Sequence, residues 1–221
     1  MPAILAALVF ASVPPPSLSP ATPKLAEAGV ATSLPAANVL AIDPASFQDA
    51  MRKLWEDHVT WTRLYIVSAV AGLPDVEPAA QRLLRNQTDI GNAIKPFYGE
   101  AAGKQLTELL RSHILIAADL VTAAKSGNSA GVEKVSSRWD ANAVEIADFL
   151  SGANPAHWPR ETMRAEMRHH LALTLREAQA RLKSDWTADI AAYDEVHTHI
   201  LGLADVLTTG IIKQFPKQFG R

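Results

Sequence analysis

Three histidines, His58, His113 and His170, each lie in the middle of a segment whose apolar residues recur at helical spacing. Since residues three and four apart share one face of a helix, all three imidazoles are predicted to point inward. Neutral imidazole is a ligand for zinc, copper, nickel and iron, and helical bundles build metal sites from side chains on facing helices. A transition-metal site is therefore the first chemistry that these residues suggest.

Other polar residues at inward positions could complete such a site. Carboxylates and a further imidazole extend the candidate ligand set to His58, Asp89, His113, His170, Asp194 and His197. Asn86 and Asn142 would lie behind the ligands and orient the rings through hydrogen bonds. The ligand spacing matches no known metal motif, so the identity of the metal stays open among zinc, copper, nickel and iron.

The same polar residues indicate an internal repeat. Each histidine is matched on the following helical segment by a polar residue, which gives the pairs His58 with Asp89, His113 with Asn142, and His170 with His197. Three repeated helical hairpins would produce this pattern. The metal hypothesis then requires the three pairs to converge on one point.

Two alternatives use the same residues. A buried polar group without a partner costs about 1–3 kcal/mol, so the pairs could form a hydrogen-bonded core in a structural or sensory bundle. The cluster could also serve a metal-dependent oxidoreductase. The chain has neither His-Glu-x-x-His nor Gly-x-Ser-x-Gly, motifs that would indicate hydrolysis. It therefore contains no recognisable catalytic motif, and a protein that is not an enzyme is favoured.

Two further histidine patterns carry less weight. Glu166-x-x-His169 has the spacing that ferritin-like di-iron proteins use, but it occurs as only one full copy. His199 follows His197 by two residues, which places their side chains on opposite sides of a helix. We expect His199 to lie at the surface or at an interface.

Helical periodicity, together with the residues that begin and end helices, predicts the fold. Asp43-Pro44 is typical of a helix start, and the sequence breaks near Gly72, Pro96-Gly99, Gly127 and Pro155-Pro159 end successive helices. The stretch from 160 to 214 is too long for one globular helix, so we place a boundary near Ser184-Asp185. About six helices with short connections predict an all-α, up-and-down bundle over residues 43–216, with a short tail at 217–221.

Composition limits the partners. The formal net charge is -2 and no cysteine is present, which argues against nucleic-acid binding and excludes thiolate ligands and disulfides. The polar helix faces mix both signs of charge, so stable membrane insertion of the mature domain is not expected. The apolar last helix, up to Gly210-Ile211-Ile212, could form a homodimer contact or pack within the bundle.

Residues 1–42 differ in composition from the rest. They hold half of the 14 prolines, and Ala3–Ala11 is an apolar run of the length of a signal-peptide core. A positively charged start is missing. We expect export to the periplasm or the exterior, and the alternative is a disordered Ala/Pro/Ser-rich tail on a cytoplasmic protein.

Several sequence segments of the chain resemble those of a family of small all-helical bacterial proteins. They are Leu54-Trp55-Glu56-Asp57-His58-Val59-Thr60-Trp61-Thr62-Arg63, Lys95-Pro96-Phe97-Tyr98-Gly99 and Gly210-Ile211-Ile212-Lys213-Gln214-Phe215-Pro216. The family is uncharacterised, and some members carry names such as glycosyltransferase or acetylglutamate kinase. The chain has no Gly-rich phosphate-binding fingerprint that would support such names. The resemblance covers roughly residues 46–216 and implies a helical fold without an established site.

Overall fold

The computed structural model describes residues 41–220, which form an all-α domain. Its elements are α1 (Pro44–Ala71), α2 (Val76–Lys125), α3 (Ser129–Ala153), α4 (Arg160–Leu182), α5 (Trp186–Gln214) and a short 3-10 turn (Pro216–Phe219). The predicted signal-like segment lies outside the described residues. None of the described helices combines the length and the apolar composition of a membrane-spanning segment.

Helix α1 begins and ends where the sequence predicts. The side chain of Asp43 accepts a hydrogen bond from the backbone N–H of Ser46, and Pro44 occupies the first turn, where a missing N–H costs nothing. Gly72 ends the helix in the left-handed conformation, with φ of 68°. That conformation strains residues with a Cβ atom and suits glycine.

The predicted count of six helices is not confirmed, because two predicted helices are merged into α2. They meet at Gly99, whose backbone is not helical (φ 85°, ψ 169°). The chain folds back there, and Gly91 lies so close to Gly103 that a Cβ on either glycine would come within 2.6 Å of the other's carbonyl oxygen. The break predicted at Pro96-Gly99 coincides with the reversal at Gly99 inside α2.

The boundary predicted inside the long C-terminal stretch is confirmed. Ser184 adopts a positive φ of 59°, and the side chain of Asp185 accepts from the backbone N–H of Ala188 to begin α5. No glycine or proline enforces this break. A side-chain cap and one residue with a strained backbone are sufficient to separate α4 from α5.

The helices pack in chain order around one core. Each helix contacts the next, and α5 returns to pack against α1, which closes the bundle. The all-α bundle is therefore confirmed, whereas three repeated hairpins are not. At one end of the bundle Phe97 stacks on Phe219 at 5.6 Å between ring centroids, and both contact Phe47. In the segment considered for a dimer contact, Thr208 and Ile211 face the core and are each 1% exposed, whereas Lys213 and Gln214 are exposed.

A buried histidine cluster as candidate functional site

The three histidines named first lie together in the core. His58, His113 and His170 are contributed by α1, α2 and α4 and are all buried. The ring centroid of His170 is 5.7 Å from that of His58 and 6.3 Å from that of His113. The predicted inward orientation of these residues is confirmed. Their role as metal ligands stays a prediction.

His58 is held by an amide side chain. Its Nδ1 lies 3.3 Å from Oε1 of Gln87, while Nε2 of Gln87 donates to the carbonyl of Leu83 and to Oδ1 of Asn86. Because these donations turn the amide oxygen toward the ring, His58 must carry its proton on Nδ1. Asn86 in turn donates to the carbonyl of Leu54 on α1.

His113 is held in the same way. Its Nδ1 lies 2.8 Å from Oδ1 of Asn142, and Nδ2 of Asn142 donates to the carbonyl of Leu109. The amide orientation again assigns the proton to Nδ1. This pair of residues was predicted from the sequence, and the structure confirms that they are partners.

Both rings are neutral and keep a lone pair on Nε2. Burial lowers the pKa of His58 to about 3, aided by His113, and burial likewise lowers the pKa of His113 to about 4. A ligating histidine commonly donates its other ring N–H to an oxygen acceptor. His58 and His113 therefore have the protonation and the support that a metal ligand requires.

His170 differs from its two neighbours. Burial and the nearby His58 and His113 hold its pKa well below the usual value, and its Nδ1 is buried without a hydrogen-bond partner in the described part of the chain. Leaving such a group unsatisfied is costly. No hydrogen bond to Nδ1 therefore fixes the orientation of this ring.

His199 also belongs to the cluster, although the sequence predicted it at the surface or at an interface. Its ring stacks on that of His170 at 5.8 Å, and it also contacts His169 at 4.8 Å. Its side chain is only 9% exposed, and its Nδ1 lies 3.7 Å from a carboxylate oxygen of Glu166. The pattern Glu166-x-x-His169 was the one signal in the sequence that could have drawn attention to this region.

Three of the predicted ligands are placed differently. Gln87, not Asp89, contacts His58, and Asp89 is only partly buried. Asp194 is exposed, and Nε2 of His197 pairs with Glu56 near the surface at 3.1 Å. In both helices the sequence prediction was wrong by two residues. Two residues correspond to about 200° around a helix, so the predicted side chain points away from the cluster.

The arrangement is not a preformed ligand shell. Within residues 41–220, no group of three or more His, Cys, Asp or Glu side chains is arranged to hold a metal ion. Nitrogen ligands lie about 2 Å from zinc, so binding would require the rings to move closer to a common centre. His58 and His113 are the best candidates for ligands, with His170 as the third.

A second buried polar group was not predicted as a unit. Arg63 of α1 donates to Glu177 of α4 at 2.8 Å and forms two hydrogen bonds with Asp189 of α5, which Arg181 also contacts. The side chains of Glu177 and Asp189 are each 1% exposed. Burial raises the pKa of Glu177 to about 7 although Arg63 opposes the shift. Arg63 was not among the candidate site residues, and its partners lie on distant segments.

The fold and the site together define a helical bundle with a desolvated histidine cluster in its core. Comparisons with protein-family models, with curated proteins and with solved structures return no match.

Proposed function

We propose that the bundle binds one transition-metal ion through His58, His113 and His170. The observation that carries the proposal is the amide oxygen facing Nδ1 of His58 and of His113. A proton on each Nδ1 satisfies these oxygens and leaves two neutral Nε2 atoms as potential ligands in one buried cluster. Imidazole nitrogen suits zinc, copper, nickel and iron. Because the chain has no cysteine, thiolate does not compete as a ligand.

His170 would provide the third nitrogen. Its buried Nδ1 has no partner among the described residues, so turning the ring toward the other two would break no hydrogen bond of that atom. Coordination would also satisfy one ring nitrogen that is otherwise desolvated.

Equilibrium dialysis of the protein without a histidine tag tests this proposal. The full chain is dialysed against zinc, copper, nickel or iron and analysed for metal content, beside the variants His113→Ala and His157→Ala. His157 is exposed and serves as the matched control. We expect one ion per chain in the unchanged protein and in His157→Ala, and at least a tenfold weaker affinity in His113→Ala.

Two results would contradict the proposal. One is the absence of stoichiometric binding for all four metals, and the other is binding that His157→Ala weakens as much as His113→Ala does. Circular dichroism of each variant separates a lost ligand from a lost fold. A folded His113→Ala that binds metal normally would exclude this cluster as the site.

A second candidate is a structural core without metal. It is favoured by the amide acceptors that satisfy Nδ1 of His58 and His113 inside the protein, and by the lack of a ready ligand shell in the described chain. The variant His170→Met distinguishes the two. If the cluster is only structural, the apolar replacement removes an unsatisfied group and keeps or increases stability, and the unchanged protein binds no metal.

Two finer interpretations stay proposals from the sequence. Export of the protein depends on residues 1–42, most of which lie outside the described structure. Thr208 and Ile211 of the last helix do not support homodimer formation, because both side chains are buried in the bundle. Size-exclusion chromatography of the full chain would determine the oligomeric state.

A further inference from the structure

An apolar cavity lies between four helices beside the histidine cluster. It encloses about 80 Å³ and is lined mainly by aliphatic side chains of α1 to α4, with no charged residue among those that line it. Trp139 forms part of its wall, and the Trp139 ring also packs against His113 at 5.3 Å between centroids. The cavity is therefore next to the histidine cluster, but its wall is mainly apolar.

The polar atoms of the cavity wall differ in whether they already have a hydrogen-bond partner. The hydroxyls of Thr62 and Thr174 already donate to the carbonyls of His58 and His170 in their own helices, so they can only accept a further hydrogen bond. The indole N–H of Trp139 is different. Its nitrogen is buried and has no acceptor within residues 41–220. Buried indole N–H groups usually have a partner.

We infer that this cavity binds a small neutral molecule with an aliphatic body and one hydrogen-bond acceptor, which Trp139 would contact. The absence of charged lining residues disfavours an ion, and Trp139, the one lining residue with a buried donor that has no partner among residues 41–220, favours one carbonyl or ether oxygen. A cavity needs about 10–15 Å³ for one water, while a cavity of about 150 Å³ holds benzene. The occupant is therefore smaller than or comparable to a five-membered ring.

This inference goes beyond the proposed metal site and does not depend on it. The Trp139 wall contacts His113, but the lining residues are not the proposed ligands. Its failure would leave the metal proposal untouched, and the protein can be tested as purified.

Cyclopentanone and cyclopentane form a suitable pair of probes, because they share a ring and differ in the carbonyl oxygen. We would follow the indole N–H signals of the five tryptophans by nuclear magnetic resonance and assign Trp139 with Trp139→Phe. Trp55 is the internal control, since its indole nitrogen is also buried without a partner but it does not line the cavity. We expect a saturable shift of the Trp139 signal with cyclopentanone and none at Trp55.

Cyclopentane should bind about 2- to 12-fold more weakly, the range that one net hydrogen bond provides. Filling the cavity by Ala178→Leu or by Ala124→Leu should abolish the shift, whereas Ala172→Leu, an exposed change on α4 outside the lining, should not. Two filling variants guard against one that fails to fold. The inference is overturned by an absent or non-saturable shift, by an equal shift at Trp55, or by unchanged binding in a folded filling variant.

Discussion

At the scale of single residues, two amide side chains determine what the histidine cluster can do. Gln87 and Asn142 each present an oxygen to Nδ1 of a buried histidine because their own N–H groups are committed to helix carbonyls. This arrangement assigns the proton to Nδ1 in both rings. The Nε2 atoms are thereby left unprotonated, which is the basis of the proposed metal binding.

Replacing Asn142 by Leu tests the importance of this acceptor. Leucine has a similar size but no oxygen, so Nδ1–H of His113 would remain buried without its partner. We expect the free energy of unfolding to fall by about 1–3 kcal/mol, measured by urea denaturation. Asn92→Ala is the control because Asn92 is exposed in the same bundle, and its effect should stay within about 0.5 kcal/mol. An equal effect of both variants would contradict this role for Asn142.

The buried carboxyl of Glu177 makes a testable contribution to pH dependence. Burial raises its pKa to about 7 in the folded protein, from the 4.5 of an unperturbed glutamate. The folded state therefore holds the proton that the unfolded chain releases, and stability from this group is lost as pH rises from about 4.5 to 7. In Glu177→Gln this loss should disappear. Since one pKa unit corresponds to about 1.4 kcal/mol, we expect a difference on the order of 3 kcal/mol across that range.

Urea denaturation at several pH values measures this difference. The charged groups around Glu177 are Arg63, Asp189 and Arg181, and none of them is changed in the variant. Glu195→Gln is a matched control, because Glu195 forms an exposed ion pair with Arg176. Stability curves that run parallel for the unchanged protein and Glu177→Gln would show that Glu177 does not titrate as stated.

At the scale of elements, helical periodicity predicted which faces are buried but not their exact phase. His58, His113 and His170 lie at the centres of long apolar stripes, so a small phase error does not change their orientation. For their partners the prediction chose Asp89 in place of Gln87 and His197 in place of His199, a displacement of about 200° around the helix. The sequence contains no local signal that fixes helix rotation to within one residue.

The reversal inside α2 depends on a close approach of two glycines. Gly103→Ala should lower the free energy of unfolding by about 1–3 kcal/mol, the usual cost of overpacking, because its Cβ would lie 2.6 Å from the carbonyl oxygen of Gly91. Gly202→Ala is the matched control, since no atom lies within 4 Å of its added Cβ. That change should be stabilising by about 0.5–1 kcal/mol. Equal effects at both positions would contradict the close packing, and thermal or urea unfolding measures them.

At the scale of the whole molecule, the histidine cluster exists only because the bundle closes. One histidine each comes from α1, α2 and α4, and α5 adds His199. The all-α class, the capped start of α1 and the break at Ser184 could be predicted from local pattern and capping chemistry. The contacts of Arg63 with Glu177 and Asp189 could not, since they join α1 to two helices that lie far along the chain.

Metal binding should therefore stabilise the entire fold and not a local segment. A ligand that binds only the folded state, present at 100 times its Kd, adds about 2.7 kcal/mol to the free energy of unfolding. Zinc or another bound ion should raise the Tm of the unchanged protein and of His157→Ala, with little effect on His113→Ala. A metal that raises all three equally would indicate binding elsewhere.

The most direct test of the central claim is the nitrogen chemical shifts of His58 and His113, before and after addition of zinc(II) or copper(I). Our account predicts that both rings carry the proton on Nδ1 in the metal-free protein, and that only their Nε2 signals move on stoichiometric binding. Protons found on Nε2 in the metal-free protein, or Nε2 signals that stay unchanged while a metal is bound, would contradict it.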